Sequence, residues 1–248
     1  MILQATVRDC LSVNWAVPCE ALPELPGGLR PEVHEEKGER RVFVSLSCFR
    51  QEGLHHELAP WLALSYPQCN VRVHVRDRDD VAAVFFLRML VPAWVVTGAR
   101  LVGHQPVRAA LLDFPAAGEA LGAGPWRWRV DGGRALSLEA EPGAGVPGPG
   151  PDLGSWQRVV AHFRERPRGY AVQGGRLRRV EAVQPPVEHV PVRVTMSRHE
   201  LLGTALPGVD ETLWSWPHSA FLCPRVPFLF ELGTAREVAL PARAPVPG

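Results

Sequence analysis

The chain has 248 residues and a formal net charge of +1, with 27 basic residues against 26 acidic ones. Hydrophobic residues make up 46% of the sequence and charged residues 21%, which is typical of a globular protein and excludes a disordered or fibrous one. The sequence has neither a long block of like charge nor an apolar run of the roughly 20 residues that a membrane-spanning helix needs, so we expect neither a nucleic-acid partner nor a membrane span.

Cysteine and lysine usage limits the chemistry that the chain can perform. Five cysteines, an odd number without a C-x-x-C pair, argue against a disulfide scaffold and against a cysteine zinc site. Lys37 is the single lysine, so a reaction through a lysine amine would need Lys37 or the N-terminus. The first ten residues carry Arg8 and Asp9 and no apolar core segment, so they do not resemble a signal peptide, and we expect a cytoplasmic location.

Strands with two unlike faces dominate the N-terminal half. The clearest alternation lies at 70–76, where three valines share one face and the other face carries Asn70, Arg72, His74 and Arg76. A polar turn follows, which predicts a β-hairpin with the next apolar strand. The other elements predicted in this half are an extended segment over 9–17, a short helix over 19–25, and strands over 40–50 and 81–91.

The C-terminal half predicts more hairpins and one well-defined helix. Gly132-Gly133 and Gly174-Gly175 are typical hairpin tips. Ser155 is a typical N-cap for a helix to about Glu165, with one apolar face formed by Trp156, Val159, Val160 and Phe163. The other predicted elements are a helix over 93–102, an extended run to Phe114, hairpin strands over 126–130, 135–140, 170–173 and 177–183, a Pro/Gly-rich surface loop over 142–151, and strands over 190–196, 220–223 and 226–232.

The predicted elements define the fold class. Ten to twelve strands with two or three short helices, and no alternation of strand with long helix, predict an antiparallel β-barrel or sandwich with helices on the outside. No change of composition divides the chain. We therefore expect a single domain over 1–248.

Several segments, in order, resemble one protein family. Asn14 to Pro18 (NWAVP), Tyr66 to Arg72 (YPQCNVR) and Ala83 to Phe86 (AVFF) are similar to the YqjF-like family of uncharacterised bacterial proteins. That family is related in fold to acetoacetate decarboxylase. The resemblance implies a closed antiparallel β-barrel with two or three short peripheral helices around a ligand cavity.

The sequence departs from the decarboxylase at its reactive residue. The decarboxylase works through a Schiff-base lysine that follows a Gly-x-Pro stretch, and the matching stretch here, 103–108 (GHQPVR), places Val107 and Arg108 there. Lys37 lies in an acidic turn instead of a pocket that would activate its amine. Gln68 stands where the family often has a glutamate, which removes a candidate acid or base. Schiff-base chemistry is therefore not expected.

The polar face of 70–76 is the principal candidate site. One hypothesis places Asn70, Arg72 and His74 in a barrel cavity, where the arginine fork would hold a carboxylate and the amide and imidazole would orient the ligand. The alternative places this face in solvent and the valines inside the barrel, as is usual in small barrels.

Two further arginines and one histidine pair are weaker candidates. Arg100, on the predicted helix, and Arg108, near the position of the family's lysine, could each act as a fixed cation that binds a ligand, or could be surface arginines. His55-His56-Glu57 are consecutive and point apart, so we expect no metal site there. No cofactor is implied.

Three hypotheses for the function remain open at this point. The first is binding of a small anionic or carbonyl-bearing molecule in a cavity, without Schiff-base chemistry. The second is a lyase or hydratase acting on a small keto acid, with Arg100 or Arg108 as the cation and His74 as the proton carrier. The third is a structural or assembly role, in which a barrel edge pairs with a second copy of the chain to form a homo-oligomer.

Overall fold

The computed structural model describes residues 1–101, 105–116 and 124–232. Within these ranges the chain forms a 14-stranded sheet, so the predicted mainly-β class is confirmed. The strands are β1 (Ile2–Pro18), β2 (Arg30–Pro31), β3 (Val33–Glu36), β4 (Glu39–His56), β5 (Ala59–Arg76), β6 (Ala82–Val91), β7 (Arg108–Ala109), β8 (Leu112–Asp113), β9 (Trp126–Val130), β10 (Leu136–Pro142), β11 (Arg168–Gln173), β12 (Arg176–Val183), β13 (Val190–Arg198) and β14 (Ser219–Leu232). The helices are α1 (Ala93–Leu101), α2 (Trp156–Arg164) and α3 (Glu200–Ala205).

Seven of the strands pair in a ring. From β1 the pairings run through β4, β5, β6, β11, β12 and β14, and β14 pairs with β1 again. The register between β1 and β4 shifts between Arg8 and Leu11, where Asp9 has a φ of 48°. A bulge of this kind bends a strand, which helps the 17-residue β1 to curve around the ring.

The sheet is mixed, so the predicted purely antiparallel sheet is wrong. β6 and β11 pair in parallel, with Val84 opposite Gly169, and the short β7 also runs parallel to β6. Between β6 and β11 the chain passes through α1, β7 to β10 and α2. A long crossover of this kind allows β11 to enter the ring in the same direction as β6.

The two faces of the ring strands have different environments. On β5, Val71, Val73 and Val75 belong to the main hydrophobic core, together with residues of β9, β10 and α3. Trp15 on β1 lies in the same layer, and its indole N–H donates to the carbonyl oxygen of Trp214 at 3.1 Å. A second layer of structure therefore covers the valine face, and the opposite face of β5 turns into the ring.

Helix α2 begins as predicted and buries one face against the ring strands. The Ser155 hydroxyl accepts a hydrogen bond from the Arg158 N–H at 3.4 Å, which confirms the N-cap. Val159 and Phe163 pack against residues on the inner face of β1, β4 and β14, while Gln157 and Arg158 on the opposite side of the helix are exposed. Its apolar stripe needs buried partners, and the ring interior supplies them. Within the described ranges, none of the helices has the length and apolar character of a membrane span.

Candidate functional site

A cavity of about 160 Å³ lies inside the ring, and each of the seven ring strands contributes to its wall. A cavity of roughly this size holds a benzene-sized molecule in other proteins. Most of the wall is apolar. The polar and charged side chains in it include Ser12, Ser47, Asn70, Arg72, Arg164, Arg166, Gln184 and His189.

Strand β5 places Asn70 and Arg72 in this wall, because the alternation that sends its valines to the outer core sends these two side chains inward. The Asn70 amide oxygen accepts a hydrogen bond from the Gln68 amide at 2.9 Å. The Nε atom of Arg72 is buried without a hydrogen-bond partner. Burial lowers the pKa of Arg72, and the nearby charge of Arg166 lowers it too.

The end of α2 brings two more arginines to the wall. Arg164 is the last residue of the helix, and its Nε atom is also buried without a hydrogen-bond partner. Its terminal nitrogen donates to the carbonyl oxygen of Pro185. The side chain of Arg166 is 4% exposed and forms an ion pair with Glu32 Oε2. Burial lowers the pKa of Arg166, while the Glu32 carboxylate raises it.

The charge of this cavity is unbalanced. None of the described residues that line it is an aspartate or a glutamate. Glu32 compensates Arg166, but within the described part of the chain no ion pair involves Arg72 or Arg164. An unpaired charge removed from water is costly, so such a wall is complementary to an anion.

His74 lies next to the cavity without being among the residues that line it. Its Nε2 atom is 2.7 Å from the Ser45 hydroxyl, and that hydroxyl donates to the Asn14 amide oxygen at 2.6 Å. Ser45 therefore accepts from His74, which assigns the proton to Nε2 and leaves a lone pair on Nδ1. Nδ1 is buried and has no hydrogen-bond partner.

Four buried or partly buried imidazoles surround Phe43 and Phe163, and we call them the histidine cluster: His34, His74, His162 and His218. The rings of His74 and His162 are stacked with centroids 5.7 Å apart. Burial lowers the pKa of all four, that of His74 far below its usual value and that of His162 to about 3. The charge of Arg166 also lowers the pKa values of His74 and His162, so the cluster is neutral at pH 7.

Among the described residues, one group has the geometry of a metal site: Glu32, His74 and His162. Each offers one ligand atom, and these atoms lie within 4.8 Å of one another. Two imidazoles and a carboxylate suit a divalent cation. Two guanidinium groups, however, already bind this carboxylate: Arg166 at Oε2 and Arg76 at Oε1, the latter at 2.9 Å. A terminal nitrogen of Arg166 also lies 3.0 Å from His162 Nε2. A metal ion would have to displace Arg166.

The structure does not bring Arg100 and Arg108 to the cavity. Both are exposed, and Arg100 donates to the carbonyl oxygen of Val107 at 2.8 Å. Helix α1 packs through Val95 on a small apolar cluster apart from the main core. Lys37 is exposed in the turn between β3 and β4. His104 lies outside the described residues.

Sequence reasoning missed Glu32, Arg164 and Arg166. Arg164 and Arg166 stand at and just beyond the end of the predicted helix, where its periodicity no longer assigns a side chain to one face. Glu32 is positioned by its own N–H, which donates to the His74 carbonyl oxygen at 3.1 Å. That contact joins distant segments, and no local pattern reports it.

Comparison with known proteins agrees with this architecture. The sequence model of DUF2071, described as an uncharacterized conserved protein (COG2071), matches residues 4–227. The chain belongs to the DUF2071 family. This confirms the family resemblance inferred from the sequence. No curated protein sequence matches this DUF2071 chain at a significant level.

Solved structures share the fold at low sequence identity. The enduracididine biosynthesis enzyme MppR with HEPES bound has a TM-score of 0.60 and 12% identity, covering 96% of this chain and 88% of that one. The same enzyme with pyruvate has a TM-score of 0.56 and 12% identity, covering 96% and 90%. An acetoacetate decarboxylase-like enzyme from Sphingomonas wittichii RW1 has a TM-score of 0.54 and 13% identity, covering 95% and 93%. The acetoacetate decarboxylase-like fold is therefore confirmed.

Proposed function

We propose that this DUF2071 protein binds a small carboxylate-bearing molecule inside the strand ring, and that the ring is a closed barrel around the ligand. The observation that carries the proposal is Arg72, a guanidinium in the cavity wall with a buried, partnerless Nε and no described counter-ion. A carboxylate would supply two acceptor oxygens to that fork.

Other wall residues suit a small organic acid. The Asn70 amide oxygen is engaged by Gln68, which leaves its amide nitrogen to donate to the ligand. Val7, Phe86 and Val226 provide apolar surface for a carbon skeleton. MppR, which has this fold, has been solved in complex with pyruvate, a small keto acid, and this supports a ligand of the same class here.

Binding in this chain would not use a Schiff base. Lys37 is exposed at a turn, and none of the described cavity-lining residues carries a primary amine. The lyase or hydratase hypothesis gains no support from the geometry. It requires Arg100 or Arg108 beside His74, but the two arginines are exposed and His74 is fully buried.

Replacement of Arg72 by methionine tests the proposal. Pyruvate and butyrate are expected to raise the melting temperature of the wild type, because a ligand at about 100 times its Kd stabilises the folded state by roughly 2.7 kcal/mol. The Arg72→Met variant is expected to fold with equal or greater stability, since it loses an unpaired cation, and to show no ligand-induced shift. Differential scanning fluorimetry measures both effects.

The matched control is Arg193→Met. The Arg193 side chain is 72% exposed and pairs with Glu141 at 2.8 Å, so its loss should leave the ligand shift unchanged. Borohydride added with pyruvate should trap no adduct. A ligand shift that persists in Arg72→Met, or a stable reduced adduct with the wild type, would contradict the proposal.

A further inference from the structure

Two arginines in the cavity wall, on different elements, share the same unusual state. Arg72 lies on β5 and Arg164 ends α2, and each has a buried Nε without a hydrogen-bond partner. Neither forms an ion pair with any described residue, whereas Arg166, the third arginine in the wall, is compensated by Glu32. The cavity therefore offers two uncompensated positive charges.

We propose that the ligand is a short-chain dicarboxylate, with one carboxylate on Arg72 and the other on Arg164. The inference rests on the function proposed above and specifies its substrate class. A monocarboxylate would leave one of the two guanidinium groups in the wall without a counter-ion, and a second carboxylate would pair with it.

The two arginines reach the cavity wall from different elements, β5 and the end of α2. Arg72 is close enough to Cys10 on β1 for the two groups to shift each other's pKa. Arg164 instead lowers the pKa values of Cys223 on β14 and of His189. Cys10 and Cys223 lie opposite each other in the β1–β14 ladder, so both cations face the same part of a mainly apolar wall. Such a wall suits a short carbon chain between two carboxylates better than a compact phosphate.

Arg164 is held in place by its neighbours. Its terminal nitrogen donates to Pro185, and its backbone oxygen accepts from the Gln184 amide at 3.1 Å. Gln184 itself lines the cavity. A guanidinium fixed in this way loses little conformational entropy when a carboxylate binds, so its contribution to affinity is large for a single contact.

The experiment compares succinate with succinamate, which has the same number of non-hydrogen atoms but an amide in place of one carboxylate. Calorimetry on the wild type is expected to show about 10- to 100-fold tighter binding of succinate, the range for one hydrogen-bonded charged group. Arg164→Met is expected to reduce succinate affinity to that of succinamate and to leave succinamate affinity unchanged. Arg193→Met serves as the surface control.

Each outcome is decisive. If the wild type binds succinate and succinamate with equal affinity, and Arg72→Met binds neither, the dicarboxylate inference is overturned and the proposed function stands. Absence of Arg72-dependent binding of either ligand would overturn the proposed function itself. The inference would also be overturned if the wild type bound inorganic phosphate more tightly than succinate. The same holds if Arg164→Met reduced the affinities for succinate and succinamate by the same factor. If Arg164→Met does not fold, the wild-type comparison and Arg164→Gln decide the same question.

Discussion

Replacing Glu32 by glutamine is expected to lower the free energy of unfolding by about 3–5 kcal/mol, the range measured when one partner of a buried ion pair is removed. The side chain of Glu32 is 10% exposed and that of its partner Arg166 is 4% exposed. The substitution leaves the Arg166 charge buried without its carboxylate. Arg76, which binds the other Glu32 oxygen, loses that contact too. Chemical denaturation at pH 7 measures the loss.

Two further variants isolate the cause. Glu141→Gln breaks the pair with Arg193, in which the side chains are 47% and 72% exposed, and should cost less than about 1 kcal/mol. The double variant Glu32→Gln with Arg166→Met should recover part of the stability, because it removes the orphaned charge as well. If Glu32→Gln were as stable as Glu141→Gln, the ion pair of Glu32 with Arg166 would not contribute to stability as a buried pair.

Acidification is expected to destabilise the protein from pH 6.5 downwards because of the histidine cluster. Each of its members has a folded-state pKa below the ordinary value of 6.5, so the folded chain holds the imidazoles neutral where the unfolded chain protonates them. Their contribution to stability is complete above pH 6.5 and is lost as the pH falls toward about 3, the pKa of His162. Each proton taken up on unfolding removes about 1.4 kcal/mol per pH unit.

Unfolding free energies measured between pH 7 and pH 5 test this expectation. His162→Gln should reduce the pH dependence of the free energy of unfolding by about one proton. Equal stability of the wild type at pH 7 and pH 5 would show that the cluster is not held neutral by the fold.

Local sequence patterns predicted the elements well and their arrangement less well. The Ser155 cap and the alternation at 70–76 are properties of a few neighbouring residues, and the structure confirms both. Gly132-Gly133 and Gly174-Gly175 likewise lie between paired strands. The parallel entry of β11 depends on contacts across the whole chain, which no window of the sequence contains.

The orientation of β5 shows why only part of the candidate site could be predicted from the sequence. Alternation separated Asn70 and Arg72 from the valines, but both faces of the strand are covered, one by the second layer and one by the ring interior. The usual rule that apolar residues fill a small barrel therefore could not decide which face of β5 points into the ring. The ion pair of Arg166 with Glu32 joins the segment after α2 to the segment between β2 and β3, and only the folded chain brings them together.

A crystal structure of the protein with bound succinate is the direct test of carboxylate binding at Arg72. We expect a ligand inside the strand ring with carboxylate oxygens about 2.7–2.9 Å from the guanidinium nitrogens of Arg72, the distance of a charge-assisted hydrogen bond. Succinate bound elsewhere, with Arg72 still unpaired in the cavity wall, would contradict it.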